Sequence, residues 1–142
     1  MSERVLVVND TQEILDLFDD ILKEEGYESV LSGFPMREIS DVEAIAPDLI
    51  ILDLIFGGEK TGWQMLQMLK MKRSTASIPI IVCTAALETV REQEGYLMSQ
   101  GVHIIYKPFD LDHLVEIIKQ AIESRRNIAS VVEDEEKKRH RS

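Results

Sequence analysis

Two carboxylates, a hydroxyl and an ammonium each stand directly after an apolar run in this 142-residue chain. Asp10 follows Val5 to Val8 and Asn9, Asp53 follows Leu49 to Leu52, Thr84 follows Ile78 to Cys83, and Lys107 follows Val102 to Tyr106. Asp10 and Asp53 could share a hard divalent cation through oxygen ligands, with water and backbone carbonyls completing an octahedron. Thr84 and Lys107 could hydrogen-bond and neutralise anionic oxygens. The combination suits a transferring phosphoryl group, with Asp53 as nucleophile and the cation offsetting repulsion between that carboxylate and its anionic donor. Asn9 is either a turn residue or a group that orients water near the ion. Each residue also has a plain structural role available: Asp10 as a helix cap, Thr84 as a strand-end hydroxyl, Lys107 as a solvated loop charge, Asp53 as a turn former. Their joint placement decides between the two readings.

That placement depends on the elements. The stretch PDLIILDL, Pro47 to Leu54, has a run of four aliphatic residues, the pattern of a strand buried on both faces in the middle of a parallel sheet. Val5 to Val8, Tyr27 to Leu31, Ile78 to Cys83 and Val102 to Tyr106 read as four further strands, the second polar enough for a sheet edge. Between them lie helical patterns: Ile14, Leu17, Phe18, Ile21 and Leu22 before a stop at Gly26; a weaker one over Arg37 to Ile45; one packing through Trp63, Met65, Leu66 and Leu69; one from Thr89 to Ser99 with Tyr96 and Leu97 available for packing; and a last one, capped by Asp110, with Leu111, Leu114, Ile117, Ile118, Ala121 and Ile122 as its stripe. Five strands alternating with five helices predict an α/β fold, a doubly wound five-stranded parallel sheet with helices on both faces. In such a sheet Asn9, Asp10, Asp53, Thr84 and Lys107 all reach the carboxyl edge, where ligands bind.

Composition narrows the classes. An excess of 26 acidic over 16 basic residues, net charge −10, argues against direct nucleic-acid binding. Cys83 is the only cysteine, which excludes an internal disulfide and a thiolate cluster. His103, His113 and His140 have no zinc-ligand spacing. No apolar run is long enough to span a membrane and MSERVLVVND carries no signal pattern, so the expectation is a cytoplasmic protein. VVNDTQE offers no Gly-rich phosphate cradle, which weakens a nucleotide- or flavin-binding reading.

The pieces VLVVND, LIILDL, IVCTA and YKPF together resemble the receiver domain of bacterial two-component response regulators, from Arg4 to about Arg125. The resemblance implies the flavodoxin-like strand order 2-1-3-4-5. It implies that Asp53 takes a phosphoryl group from a phosphohistidine on a sensor histidine kinase or histidine phosphotransfer protein. Mg2+ would be held by Asp10, Asp53 and the backbone carbonyl of Ile55, with Asn9 outside the ligand set. Thr84 and Lys107 would contact the phosphoryl oxygens, and the Lys107–Pro108 bond would be cis. The surface made by the fourth helix, fifth strand and last helix would be the switched face, used for an output domain or a homodimer. Such a domain assists its own phosphorylation and dephosphorylation and is not an enzyme with a separate substrate.

Three departures from the family pattern stand out. Asn9 replaces the first acid of an acidic pair, Ile104 stands where many members carry a switching aromatic, and the loop from Phe56 to Thr61 lacks a common proline and is one residue longer before Gly62. Tyr106 alternates to the same face as Ile104. Ile55 and Ala86 are apolar where polar groups can orient hydrolytic water, which predicts a persistent phosphoryl state. Two alternatives stay open: a phosphorylation-independent receiver-like interaction module and a small phosphohydrolase using Asp53. Residues 126–142 form a charged extension, and Leu114, Ile118, Ala121, Arg125, Ile128 and Val132 make a heptad-like stripe that marks either a connector helix or a frayed tail.

Overall fold

The computed structural model describes residues 3–54, 59, 61–84, 87–107 and 109–140, with backbone alone at 87–89 and 126–140. Five strands, β1 (Arg4–Val8), β2 (Glu28–Ser32), β3 (Leu49–Leu52), β4 (Ile80–Thr84) and β5 (Val102–Tyr106), form one sheet in the order β2-β1-β3-β4-β5. Every neighbouring pair is parallel. This is the flavodoxin-like arrangement with the topological switch between β1 and β3. The central strands are buried along their length because helices cover both faces.

Side-chain alternation sorts the core into two layers. Leu6, Val8, Ile50, Leu52, Ile80 and Val82 face one way and pack with helices α2 (Ile39–Ile45), α3 (Thr61–Met71) and α5 (Leu87–Ser99) through Val42, Met65, Leu66, Leu69, Val90 and Leu97. Val5, Val7, Leu49, Ile51, Ile81, Cys83 and Ile105 face the other way, against α1 (Gln12–Glu24) and α6 (Leu111–His140). On that side Leu15, Phe18 and Leu22 of α1 meet Leu114, Ile118 and Ala121 of α6. Each such aliphatic or aromatic side chain taken fully out of water contributes about 1.5–3 kcal/mol.

Local signals explain the element ends. Gly26 and Gly101 adopt φ of 84° and 78°, the left-handed region that lets α1 and α5 turn into the following strands. Asp110 opens α6, accepting the Asp112 N–H on its carboxylate at 2.9 Å and the Leu114 N–H on its carbonyl at 3.0 Å. A four-residue helix, α4 (Arg73–Ala76), is an addition to the five helices legible in the sequence. It closes on the buried Thr75, whose hydroxyl donates to the Leu69 carbonyl at 2.7 Å and so satisfies the end of α3.

Packing differs from the sequence pattern at three places. Tyr96 is 65% exposed and Leu111 45% exposed, while Leu15, absent from the expected α1 stripe, is buried. The last helix runs in one piece from Leu111 to His140. Arg125, which breaks the heptad-like stripe, donates to the Pro47 carbonyl at 2.8 Å and lies 3.4 Å from an Asp48 carboxylate oxygen. It ties α6 to the entrance of β3, at the amino edge of the sheet.

Candidate functional site

Strand order converts distant sequence positions into neighbours. Val8 pairs in register with Leu52, so Asn9 and Asp10 leave β1 beside the point where Asp53 leaves β3. The Asp53 N–H donates to the Val8 carbonyl at 3.1 Å and continues the ladder one residue past the strand. Across the sheet Thr84 pairs with Tyr106, and the Lys107 N–H donates to the Thr84 carbonyl at 3.0 Å. All five sequence-nominated residues that the structure describes therefore stand at the carboxyl edge, the place where an open parallel sheet presents its crevice.

Two of these side chains form an ion pair across the edge. Lys107 Nζ lies 3.4 Å from Asp53 Oδ2, a long ion pair between a nearly buried carboxylate and a partly exposed ammonium. Asp53 is 8% exposed and Thr84 1%, whereas Asp10 is open to solvent. A buried carboxylate needs such a partner, because transfer of an unpaired charge from water is costly. The site thus has a sheltered carboxylate, a cation beside it and a second carboxylate at its mouth.

Asn9 is 3% exposed and its amide is already used. Its Oδ1 accepts the Thr11 N–H at 2.9 Å, and its own N–H donates to the Ser32 carbonyl at 3.0 Å. Thr11 is the N-cap of α1 yet makes no side-chain cap bond, so Asn9 supplies the turn that launches the helix. This turn aims Asp10 outward from the strand end.

Gly62 was legible only as one of several loop glycines, but it lies buried in the first turn of α3. A β-carbon there would overlap the Asp53 carbonyl oxygen and come within 2.6 Å of Leu54 Cα. The helix start therefore seats directly on the backbone that carries Asp53. A glycine inside a helix, where no turn requires it, is the sequence signal for such a close approach.

Cys83 lies beneath the site, 2% exposed, and burial pushes its thiol up to about 12. The neighbouring Lys107 lowers it and Asp53 raises it, both less than burial does. His103 is lowered by burial, consistent with a neutral strand residue. Among the described residues no group of three or more His, Cys, Asp or Glu could hold a metal ion. The oxygen donors of Asp10 and Asp53 are of the type a hard cation takes, but they number two carboxylates and not three. Ile55, Phe56, Ala86 and Pro108, to which a carbonyl ligand, the loop departure, the persistence of the phosphoryl state and a cis bond were assigned, lie outside the described residues. Tyr106 and Ile104 do share a face and pack in the same core layer, and the Arg91 guanidinium sits 5.5 Å above the Tyr106 ring.

Comparison with known proteins gives a consistent answer. The family profile described as response regulator receiver domain matches residues 5–119. The DNA-binding response regulator MtrA of Mycobacterium tuberculosis is 29% identical over 127 residues, covering 89% of this chain and 53% of that protein. Sporulation initiation phosphotransferase F of Bacillus subtilis is 28% identical over 127 residues, covering 89% of this chain and 99% of that protein. The chain spans about half the length of the first curated relatives it matches. In fold, the signal receiver domain of a putative Luxo repressor protein from Vibrio parahaemolyticus superposes with a TM-score of 0.79 at 23% identity, covering 92% of this chain and 98% of that one.

Proposed function

The chain belongs to the response regulator receiver domain family, phosphoacceptor modules of phosphorelay signalling that are not independent enzymes, and on that premise we propose that Asp53 is its phosphoryl acceptor. The observation that carries the assignment is the Lys107–Asp53 contact of 3.4 Å around a carboxylate that is 8% exposed. Asp53 is sheltered enough to be chosen over the many surface acids and is held beside a cation that can follow it through the reaction.

In this reading a carboxylate oxygen of Asp53 attacks phosphorus, an O–P bond forms, and the P–N bond to the donor imidazole breaks, its electron pair going to the imidazole, which takes up a proton from water. Lys107 holds the anionic oxygens, and the Thr84 hydroxyl donates to one of them. Asp10 and Asp53, with the Ile55 carbonyl, would hold Mg2+, which when bound offsets the charge between nucleophile and donor. Asn9 keeps the β1 end in shape for Asp10. The donor would be a sensor histidine kinase or a histidine phosphotransfer protein, met in the cytoplasm. The output would run through α5, β5 and α6, toward a second protomer or an attached module beyond residue 125.

One observation favours a second reading. Asn9 leaves the site with one carboxylate fewer than an acidic pair would supply, and its amide oxygen is committed to Thr11. A receiver-like module that signals without phosphorylation is compatible with that loss.

Intact mass after incubation with Mg2+ and acetyl phosphate separates the two. A single phosphoryl adduct on the wild type and none on Asp53→Asn supports the acceptor. Absence of any adduct on a folded wild type, repeated with phosphohistidine donors, shifts the assignment to the phosphorylation-independent module.

A further inference from the structure

We propose that the groove between residues 34–37 and α3 is a docking surface for an amphipathic helix of a partner protein, apolar on one face and carrying a carboxylate at its edge. The groove has a volume of about 310 Å³ and is distinct from the Asp53 site in its lining. Its floor is Met36, Met65 and Met68, a set of flexible thioethers able to mould to more than one side chain. Phe34 stands at its lip, 80% exposed, an apolar ring that gains from being covered.

The segment that forms this lip is held in place. Ser32 Oγ donates to the Phe34 carbonyl at 2.7 Å, and the Met36 N–H points at the Met65 sulfur at 3.3 Å. A fixed lip means that a ligand finds the groove largely formed and spends little free energy on ordering it. The opposite wall is α3 from Thr61 to Met68, two turns and about 10 Å long. That length fits one to two turns of a second helix, which presents side chains at i and i+4 to a groove of this kind.

Charge decides what the occupant carries. Among the described residues Arg37 is the only ionisable side chain lining the groove, and it has neither an ion pair nor a hydrogen bond with them. The Thr61 hydroxyl, on the same lining, is buried with no hydrogen-bond partner. A carboxylate at the edge of the docked helix would answer Arg37, and the Thr61 hydroxyl could donate to an acceptor beside it. The carboxylates must be few and local, since a strongly acidic partner would be repelled by a chain of net charge −10.

The full chain labelled at its methionine methyls supplies the test. Met36, Met65 and Met68 report the groove, and Met71 and Met98, 84% and 63% exposed, report the surface outside it. The probes are a synthetic helix with leucines at i and i+4 flanked by two glutamates, and its twin with lysines in place of the glutamates. The expected result is a saturable shift of the three groove methyls by the acidic peptide, unchanged Met71 and Met98, and binding of the lysine twin weaker by about tenfold. Arg37→Glu, a change at an exposed position, is expected to reverse that preference. No saturable shift with either peptide, equal shifts at Met71 and Met98, equal binding of the twins, or an Arg37→Glu chain with unchanged preference overturns the proposal.

Discussion

Gly62 packs against Asp53 with no room for a single additional carbon, because a β-carbon at 62 would overlap the Asp53 carbonyl oxygen. The contact is backbone against backbone, so no flexible side chain can give way. Gly62→Ala is therefore expected to destabilise the chain by roughly 1–3 kcal/mol, the usual cost of overpacking. Urea unfolding measures it, and an alanine variant within about 0.5 kcal/mol of wild type would show that α3 moves freely relative to Asp53.

Lys107 is the only described cation paired with Asp53. Lys107→Met keeps the stem and removes the charge. Phosphoryl adduct formation from acetyl phosphate is expected to slow on the order of 10²-fold, the scale of losing one charge-stabilising donor. Time-resolved intact mass reads the rate, and an unchanged rate would remove Lys107 from the chemistry.

Asn9 contributes an amide where the candidate site has two described carboxylates, Asp10 and Asp53. Asn9→Asp keeps an acceptor for the Thr11 N–H and adds a negative charge next to Asp10. Mg2+ affinity is expected to rise by about tenfold, since charge count tunes such sites. Trp63, the only tryptophan, lies in the first turn of α3 and provides a fluorescence signal for the titration. Equal affinity in the two proteins would mean that residue 9 does not act on the ion.

Burial disfavours the Cys83 thiolate and pushes the thiol up to about 12 in the folded chain, from an ordinary value of 9.0. The unfolded chain loses this proton first. Stability from Cys83 is thus complete below about pH 9.0 and is lost as pH rises toward about 12, by at most about 1.4 kcal/mol per pH unit. Cys83→Ala is expected to flatten the fall in urea midpoint across that window. At neutral pH the native thiol should resist an aromatic disulfide reagent that labels it at once in urea.

The placement of the candidate residues at the edge was legible because the strands are. Leu49 to Leu52 and Ile80 to Cys83 are apolar on both faces, a pattern that helices rarely imitate over so few residues, and each run is followed by a residue of the candidate site. Local periodicity served less well in α5, which has few apolar residues: Tyr96 fits its pattern but points to solvent, while Leu97 packs. Gly62 and Arg125 lay beyond local reading for a different reason. Their roles depend on what the fold places against them, a strand end in one case and the entrance to β3 in the other. The same is true of the Phe34 groove, whose two walls are about thirty residues apart in sequence.

The course of α6 has a mechanical consequence. The helix begins at the edge that holds Asp53, crosses the sheet and is fastened at the opposite edge by Arg125, then continues for 15 residues to His140. Those residues make an arm of about 22 Å at helical rise. In sequence, Glu133, Asp134, Glu135 and Glu136 precede Lys137, Lys138, Arg139 and His140 by four, an order that favours a helix standing alone in water. With Arg125 as fulcrum, a tilt of about 10° of α6 against the sheet would carry the far end through about 4 Å at that arm length. The stretch from Leu111 to Arg125 is almost as long as the arm beyond it, so a displacement of the helix start at the carboxyl edge would be matched, in the opposite sense, by an equal displacement of the tip.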